Sequence, residues 1–339
     1  MKKYVLKRVL YMALVLVIVS FLMFFLYNLI PSDPARAELE PLRPTLNPQA
    51  YEEMYQQLRE SMGLDDPILV RYFRWLGLVP DSRSGELKGI FQGYLGYSTF
   101  FKKDVTEVIP DRMVNTVFIN IFVTILALGI TIPLGIYCAV HKKGIIDNLT
   151  QVCTIVGYSV PIYIIALLFI WFFAVNLELF PVMGAKTPGS NFVGLQAWVD
   201  KLYYMGLPIL VMTFGSLGGM TRYVRTAMID ALGMDYVRTA RAKGLREKVV
   251  IYSHAWRNAL LPVITVIIGW FLSIFSGSLI VENTFALNGM GSLYITGLTN
   301  HDYELVLAVQ MFYTVVSLVG ALIMDLSYGL VDPRVRVDK

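Results

Sequence analysis

The chain has 339 residues, of which 56% are hydrophobic and only 16% are charged. Its mean hydropathy of +0.58 indicates far more apolar surface than a water-soluble core can bury, so the composition excludes an ordinary soluble domain and points to a lipid bilayer. The formal net charge of +4 is modest and does not indicate a nucleic-acid-binding surface.

The apolar residues gather in long uncharged runs. An α-helix rises about 1.5 Å per residue, so about 20 apolar residues are needed to cross about 30 Å of hydrocarbon. Six runs of this kind predict an all-α integral membrane protein with about six transmembrane helices. The runs are residues 9–30, 115–140, 149–177, 202–221, 258–281 and 305–324.

A seventh uncharged stretch, residues 283–301, contains three Asn, three Gly and three Thr. Polar side chains and unpaired backbone groups are costly in lipid. We therefore interpret this stretch as an external loop with short helices.

The first run follows four basic residues, as the apolar region of a secretory signal peptide does. It is 22 residues long, whereas the apolar region of a cleavable signal peptide has about 7 to 15 residues. No small-x-small cleavage pattern follows it. We predict a retained membrane anchor.

The basic residues also indicate the orientation of the chain. A cytoplasmic N-terminus places four Lys or Arg at the N-terminus, two at 142–143, eight at 222–257 and three in the tail on the cytoplasmic side. Only Lys186 and Lys201 then lie in the short loops on the other side. This bias follows the positive-inside rule, and the net charge is an orientation signal.

This orientation divides the chain into four parts. Residues 1–30 hold a cytoplasmic tip and the first transmembrane helix, and residues 31–114 form an ordered extracellular segment. Residues 115–330 hold five further helices with a cytoplasmic connector at 222–257, and residues 331–339 form a cytoplasmic tail.

No catalytic or metal-binding pattern is apparent. Cys138 and Cys153 fall inside predicted spans, and His141, His254 and His301 are far apart, so neither a disulfide framework nor a metal site has the required spacing. No nucleophile and base stand at recognisable spacing, and no Gly-x-x-x-x-Gly-Lys-Ser/Thr loop is present to hold ATP phosphates.

The connector at 222–257 contains signals for a short helix. Asp235 is placed to cap a helix over 236–243, and Gly244 is placed to end it in the left-handed conformation. A second helical stretch, 246–259, leads into the fifth run. Composition alone favours a positively charged loop that lies on anionic lipid.

The residues of the connector carry a specific resemblance. The run 235–245 (DYVRTARAKGL), followed by 254–262 (HAWRNALLP), resembles the cytoplasmic signature of binding-protein-dependent ABC importer permeases, in the dipeptide, oligopeptide and nickel branch. Arg238-Thr239-Ala240 occupies the place where other importers show Glu-Ala-Ala.

The resemblance extends over nearly the whole chain. Further matching blocks are 30–35 (IPSDPA), 63–67 (GLDDP), 93–98 (GYLGYS), 282–285 (ENTF) with 289–291 (GMG), 301–303 (HDY) and 325–334 (DLSYGLVDPR). The chain departs from the pattern at Ser32, where Gly is usual, and at 286–288, which replace a more typical Trp-Pro stretch.

This resemblance implies the type I ABC importer permease fold and the transport of dipeptides or oligopeptides across a bacterial or archaeal cytoplasmic membrane. It implies a second permease subunit, two ATPase subunits that use ATP and Mg, and an external peptide-binding protein, with no cofactor bound by this chain. The residues implied to couple to the ATPase are Asp235, Tyr236, Arg238, Thr239, Ala240, Arg241, Ala242, Lys243 and Gly244.

Other polar residues are candidates for the substrate pathway. Glu282, placed at the outer end of the fifth run, is a candidate gate or docking contact, or else an interface-exposed carboxylate. Asn115, Asn120, Tyr158 and Asn176 either face the pathway or form interhelical hydrogen bonds.

Two groups of alternative functions stay open. In the first, the chain belongs to the same kind of importer but carries nickel, glutathione or oligosaccharides, as similar permeases do. An ion-coupled carrier or channel is disfavoured, because no ionisable residue lies in the middle of any apolar run.

Overall fold

The computed structural model describes residues 2–30 and 33–331, and almost every element in that part of the chain is helical. The exception is a hairpin of two short antiparallel strands, β1 (Tyr97–Ser98) and β2 (Lys103–Asp104). Residues 332–339, which make up most of the predicted tail, lie outside the described residues, as do Pro31 and Ser32 of the matching block 30–35.

The helices are numbered here in chain order. The first ones are α1 (Lys2–Leu29), α2 (Pro34–Leu39), α3 (Pro48–Ser61), α4 (Ile68–Leu76), α5 (Val105–Val140), α6 (Ile145–Ser159) and α7 (Ile162–Phe169), which continues as a π-helical turn (Ile170–Asn176). The later ones are α8 (Leu195–Leu232), α9 (Asp235–Ala242), α10 (Glu247–Val249), a π-helical turn (Val250–Trp256), α11 (Arg257–Ser273), α12 (Leu279–Thr284), α13 (Met290–Thr299) and α14 (Tyr303–Val331).

The helices confirm an all-α membrane protein with about six spans. Within residues 2–30 and 33–331, five helices are long and apolar enough to cross a bilayer, and the bent pair of α6 and α7 makes a sixth if it counts as one span. The five are Tyr4–Leu29, Val105–Val140, Leu195–Leu232, Glu247–Ser273 and Tyr303–Ser327.

The third predicted span is not one straight helix. Its two halves are bent by 104° at the break between Ser159 and Ile162. Val160 has an extended backbone (φ −89°, ψ 123°), and Pro161 has no backbone N–H to continue the α-helical hydrogen-bond pattern. The apolar run predicted the element, and its proline marks the bend.

The fourth and fifth predicted spans have different bounds from those of the uncharged runs. α8 continues past Arg222 to Leu232, so the first part of the predicted connector is helix. α11 ends at Ser273, because the amide nitrogen of Asn120 donates to the carbonyls of Ile274 and Ser276, both at 2.9 Å. These bonds satisfy carbonyls that a continuing helix would otherwise use.

The chain forms two compact units. Of the described residues, the first contains 2–30, 33–114 and Ser292–Leu318. Within it, the aromatic rings of Phe24 and Tyr72 pack with Leu307, and the Ser98 hydroxyl at the hairpin bonds the Asp302 carboxylate at 2.5 Å. Over its described residues, the segment predicted at 31–114 contains α2, α3, α4, two short 3-10 turns, the hairpin and the first ten residues of α5.

The second unit contains Asn115–Gly291 and the described part of Val319–Lys339. One apolar cluster gathers around Met205, Leu207 and Phe285. A second cluster gathers Val224 and Met228 of α8 with residues of α9 and α11. This second cluster holds α9, which belongs to the predicted connector, against α8 and α11.

Candidate functional site

Two inward-facing side chains fix α9 to the rest of its unit. Val237 is fully buried and Ala240 is 4% exposed. Both pack in one cluster with Met228 of α8 and with Val250. Residues three apart share a face of a helix, so this face anchors α9.

The remaining predicted coupling residues of α9 and its C-terminal turn face away from this cluster. They form an exposed surface with three basic residues and one acidic residue, on a helix whose other face is fixed. The exposed residues are Asp235, Tyr236, Arg238, Thr239, Arg241, Ala242, Lys243 and Gly244.

The predicted cap at Asp235 is wrong. Met234 occupies the N-cap position with an extended backbone (φ −78°, ψ 151°), and no side chain caps the helix. The helix starts one residue before the predicted first turn, so the Asp235 backbone is already helical. Its carboxylate lies 3.4 Å from Arg238 Nη1, and a carboxylate in the first turn favours the helix dipole.

The predicted end of the helix at Gly244 is confirmed. Gly244 has a left-handed backbone (φ +74°). Its N–H donates to the Arg241 carbonyl at 2.9 Å, and the Leu245 N–H donates to the Ala240 carbonyl at 3.4 Å. This is the Schellman arrangement, in which glycine adopts the left-handed conformation without a steric penalty.

Ala240 does not lie on the exposed surface. The sequence analysis placed it among the coupling residues, but its methyl group packs against the helices of its own unit. A small residue suits this position because α9 lies close to the cluster. In this structure Ala240 anchors the surface that its neighbours form.

Arg241 ties α9 to α10. Its guanidinium contacts the Glu247 carboxylate through two bonds, Nη2 to Oε1 at 2.7 Å and Nε to Oε2 at 3.3 Å. The two side chains are 47% and 54% exposed. An exposed pair of this kind contributes up to about 1 kcal/mol to stability, so its main effect is to orient Arg241.

A buried ion pair near this site was missed by the sequence analysis. Arg225 of α8 contacts Asp147 of α6 through Nε to Oδ1 at 2.6 Å and Nη2 to Oδ2 at 2.7 Å. Asp147 is 1% exposed and also accepts the Lys143 N–H at 2.9 Å. Asp147 comes shortly after Lys142 and Lys143 in the sequence, and a charge in such a context is typical of an exposed loop. No local pattern therefore indicated that it is buried.

Glu282 does not lie at the end of the fifth membrane helix. It belongs to α12, which starts after α11 has ended, and it is 3% exposed. The alternative of an interface-exposed carboxylate is therefore wrong. Thr116 Oγ1 donates to Glu282 Oε1 at 2.8 Å and accepts the Met290 N–H at 2.8 Å. A Cβ on Gly289 would lie 2.4 Å from Glu282 Cδ.

Three of the four polar residues of the apolar runs use their amides for backbone bonds. Asn115 Nδ2 donates to the Asn288 carbonyl at 2.9 Å, and Asn176 Nδ2 donates to the Trp171 carbonyl at 3.0 Å. Asn120 bonds the end of α11, as described above. The fourth, Tyr158, is 70% exposed.

Comparison with known proteins supplies the family. The protein-family model described as "Binding-protein-dependent transport system inner membrane component" matches residues 131–337 of the sequence. The corresponding N-terminal model matches residues 1–120. The chain belongs to this family.

Relatives align over essentially the full length. The chain is 34% identical to the oligopeptide transport system permease protein AppB of Bacillus subtilis, over 99% of this chain and 100% of the relative. It is 31% identical to the dipeptide transport system permease protein DppB of the same organism, over 100% of this chain and 99% of the relative. It is 30% identical to the glutathione transport system permease protein GsiC of Salmonella paratyphi A, over 99% of each chain.

Family membership confirms the resemblance drawn from the connector. The chain is a multi-pass, inner-membrane component of an ABC transporter, which works with ATPase and binding-protein partners. Over residues 2–30 and 33–331, no group of three or more His, Cys, Asp or Glu side chains is placed to hold a metal ion.

Proposed function

We propose that this chain is one of two permease subunits of an ATP-driven importer for short peptides, and that α9 receives the motion of a cytoplasmic ATPase subunit. The observation that carries the proposal is the two-sided character of α9. Val237 and Ala240 fix one face to the unit core, while the opposite face is exposed and basic.

The anchoring explains how a short helix transmits force. A push on the exposed face passes through Val237 and Ala240 into α8 and into the turn around Val250, because packed cores deform little. The Arg241–Glu247 pair orients the Arg241 side chain at the far end of α9. A partner with acidic or carbonyl groups would complement Arg238 and Arg241.

The distribution of basic residues supports an orientation with both termini and α9 in the cytoplasm. In this orientation the segment at 31–114 is extracellular and available to an external binding protein. A second permease subunit would complete the pathway, and two ATPase subunits would bind ATP and Mg, for which this chain has no phosphate-binding loop.

The cargo proposal rests on the relatives. The permeases named for oligopeptides and dipeptides include the 34% identical one, so short peptides are the first candidate. Glutathione is the second candidate, because a permease named for its transport aligns at 30% identity over the same length. It is itself a small peptide.

Cross-linking tests the role of α9. In a Cys153→Ser background, which removes the exposed native cysteine, a cysteine at Thr239 should cross-link to the ATPase subunit of the assembled transporter. The matched control is Val193→Cys, which is 81% exposed between α7 and α8 and lies on the other side of the membrane in our orientation. Cross-linking of the control but not of Thr239→Cys would overturn both the assignment and the orientation.

A further inference from the structure

Two adjoining cavities within the second unit have a lining that suits a peptide. The first, here called the neutral cavity, has a volume of about 520 Å³ and no charged lining residue. Its polar and aromatic lining includes Asn120, Thr124, Tyr158, Ser216, Trp270 and Ser273.

The second cavity, here called the charged cavity, has a volume of about 450 Å³. It shares Tyr158, Gly219 and Tyr223 with the neutral cavity, so the two lie side by side. Its lining adds one cation, Arg222, and one anion, Asp230.

The floor of both cavities is one face of α8. Arg222, Thr226 and Asp230 are spaced four residues apart and therefore lie in one row along the helix. Arg225, on a different face, is committed to Asp147. Within the part of the chain that the structure describes, neither Arg222 nor Asp230 makes an ion pair.

Tyr158 reaches this floor from α6, which packs against α8. It lies at the C-terminal end of α6, just before the break at Pro161, and its ring rests on α8 where glycines leave room. A Cβ on Gly219 would lie 2.9 Å from the Tyr158 hydroxyl, and a Cβ on Gly218 would lie 3.3 Å from its ring. Tyr158 lines both cavities.

The geometry points to a binding surface for a peptide with free termini: Arg222 binds the C-terminal carboxylate, Asp230 binds the N-terminal ammonium, and the Tyr158 hydroxyl faces the backbone amides. This inference rests on the proposed function. The two charged positions are eight residues apart in sequence, which is about 12 Å along a helix, and an extended chain advances about 3.4 Å per residue. The spacing therefore suits about three or four peptide residues.

The neutral lining of the larger cavity fits the same occupant. A permease that carries peptides of many sequences requires contacts to groups that all peptides share, which are the termini and the backbone. A groove open to water keeps each contact weak, so that a bound peptide is also released.

Transport by the complete reconstituted transporter, with its binding protein, tests the inference with one labelled tetrapeptide in three forms: free, N-acetylated and C-amidated. Arg222→Gln should lower transport of the free and acetylated forms about three- to tenfold relative to the amidated form. Asp230→Asn should lower transport of the free and amidated forms relative to the acetylated form. Lys186→Gln, an exposed charge outside both cavities, should show neither pattern.

Each form is compared with itself between variant and wild type, so any preference of the binding protein for termini cancels. If a charge substitution lowered transport of all three forms by the same factor, or had no effect on any of them, the inference would be overturned and the proposed function would stand. Failure of the wild-type transporter to accumulate any form would overturn both.

A second measurement applies if a charge variant does not assemble. In a Cys153→Ser background, the free tetrapeptide should slow chemical modification of Thr226→Cys in the charged cavity. Modification of Tyr163→Cys, which is exposed in α7 but lines neither cavity, should be unaffected. Equal modification rates with and without peptide at Thr226→Cys would overturn the inference.

Discussion

At the scale of single residues, Gly289 lies against the Glu282 carboxylate so closely that an added methyl group would overlap it. Gly289→Ala should therefore lower the free energy of unfolding by about 1–3 kcal/mol, because the buried carboxylate must shift away from the added methyl group and weaken its hydrogen bond from Thr116. Thermal unfolding of the purified protein in detergent measures this loss. Gly129→Ala is the control, because a Cβ there meets nothing within 4 Å. Equal stability of the two variants would contradict the packing described for Glu282.

Asp33, just after α1, makes the stability of the first unit depend on pH. Burial acts to raise the pKa of its carboxyl, but hydrogen bonds from Tyr55, from the Ala35 N–H and from Arg59 outweigh burial and lower the pKa below 3.8. A carboxyl with a lowered folded pKa stabilises the fold above its unfolded pKa of about 4, and this contribution is lost as the pH falls through the folded pKa.

Asp33→Asn should therefore be less stable than wild type at pH 7, and the difference in Tm should shrink as the pH falls below about 4. Unfolding curves of both proteins across this range test the prediction. Glu60→Gln, which removes an exposed carboxyl from α3, should differ little from wild type. A difference for Asp33→Asn that stays constant or grows toward acid pH would refute the assigned cause.

At the scale of elements, the Asp147–Arg225 pair joins α6 to α8. Asp147→Ala should lower the free energy of unfolding by about 3 kcal/mol, because it leaves a half-buried guanidinium without its carboxylate. The double variant Asp147→Leu with Arg225→Met should lose less than Asp147→Ala, since it removes both charges. Additive losses from Asp147→Leu and Arg225→Met in a double-mutant cycle would show that the two residues do not act as a pair.

The elements show which features the sequence reveals and which it hides. Hydropathy predicted every long helix, because a bilayer imposes a length of about 20 apolar residues. It placed the end of α8 too early, because the run was cut at Arg222 although α8 continues to Leu232. It placed the end of α11 too late, because that end depends on the distant amide of Asn120.

In the candidate site, too, the sequence predicted some features and not others. Local signals predicted α9 and its end at Gly244, since glycine at a helix terminus acts through its own backbone. Which side of α9 is buried was not predicted, because that depends on contacts of Val237 and Ala240 with α8 and with the turn around Val250. The burial of Glu282 beside Thr116 joins residues 166 positions apart, a separation that no local pattern encodes.

At the scale of the whole molecule, the account makes this chain a passive membrane component driven through one short helix. Val237 and Ala240 attach α9 to α8, and α8 also forms the floor of both cavities through Gly219 and Asp230. In the proposed function, motion received at α9 would reach the proposed peptide-binding surface through this one continuous helix, without a separate relay.

ATP-driven accumulation of a labelled short peptide by proteoliposomes that contain the complete transporter tests this central claim most directly. Wild type is compared with Gly244→Arg, which places bulk and backbone strain on the exposed end of α9, and with Gly85→Arg. Gly85 also has a positive φ (+69°) and open space around it, but it lies in the first unit. We predict that wild type and Gly85→Arg accumulate peptide, whereas Gly244→Arg inserts normally and does not. Undiminished, ATP-dependent accumulation by Gly244→Arg would contradict the account.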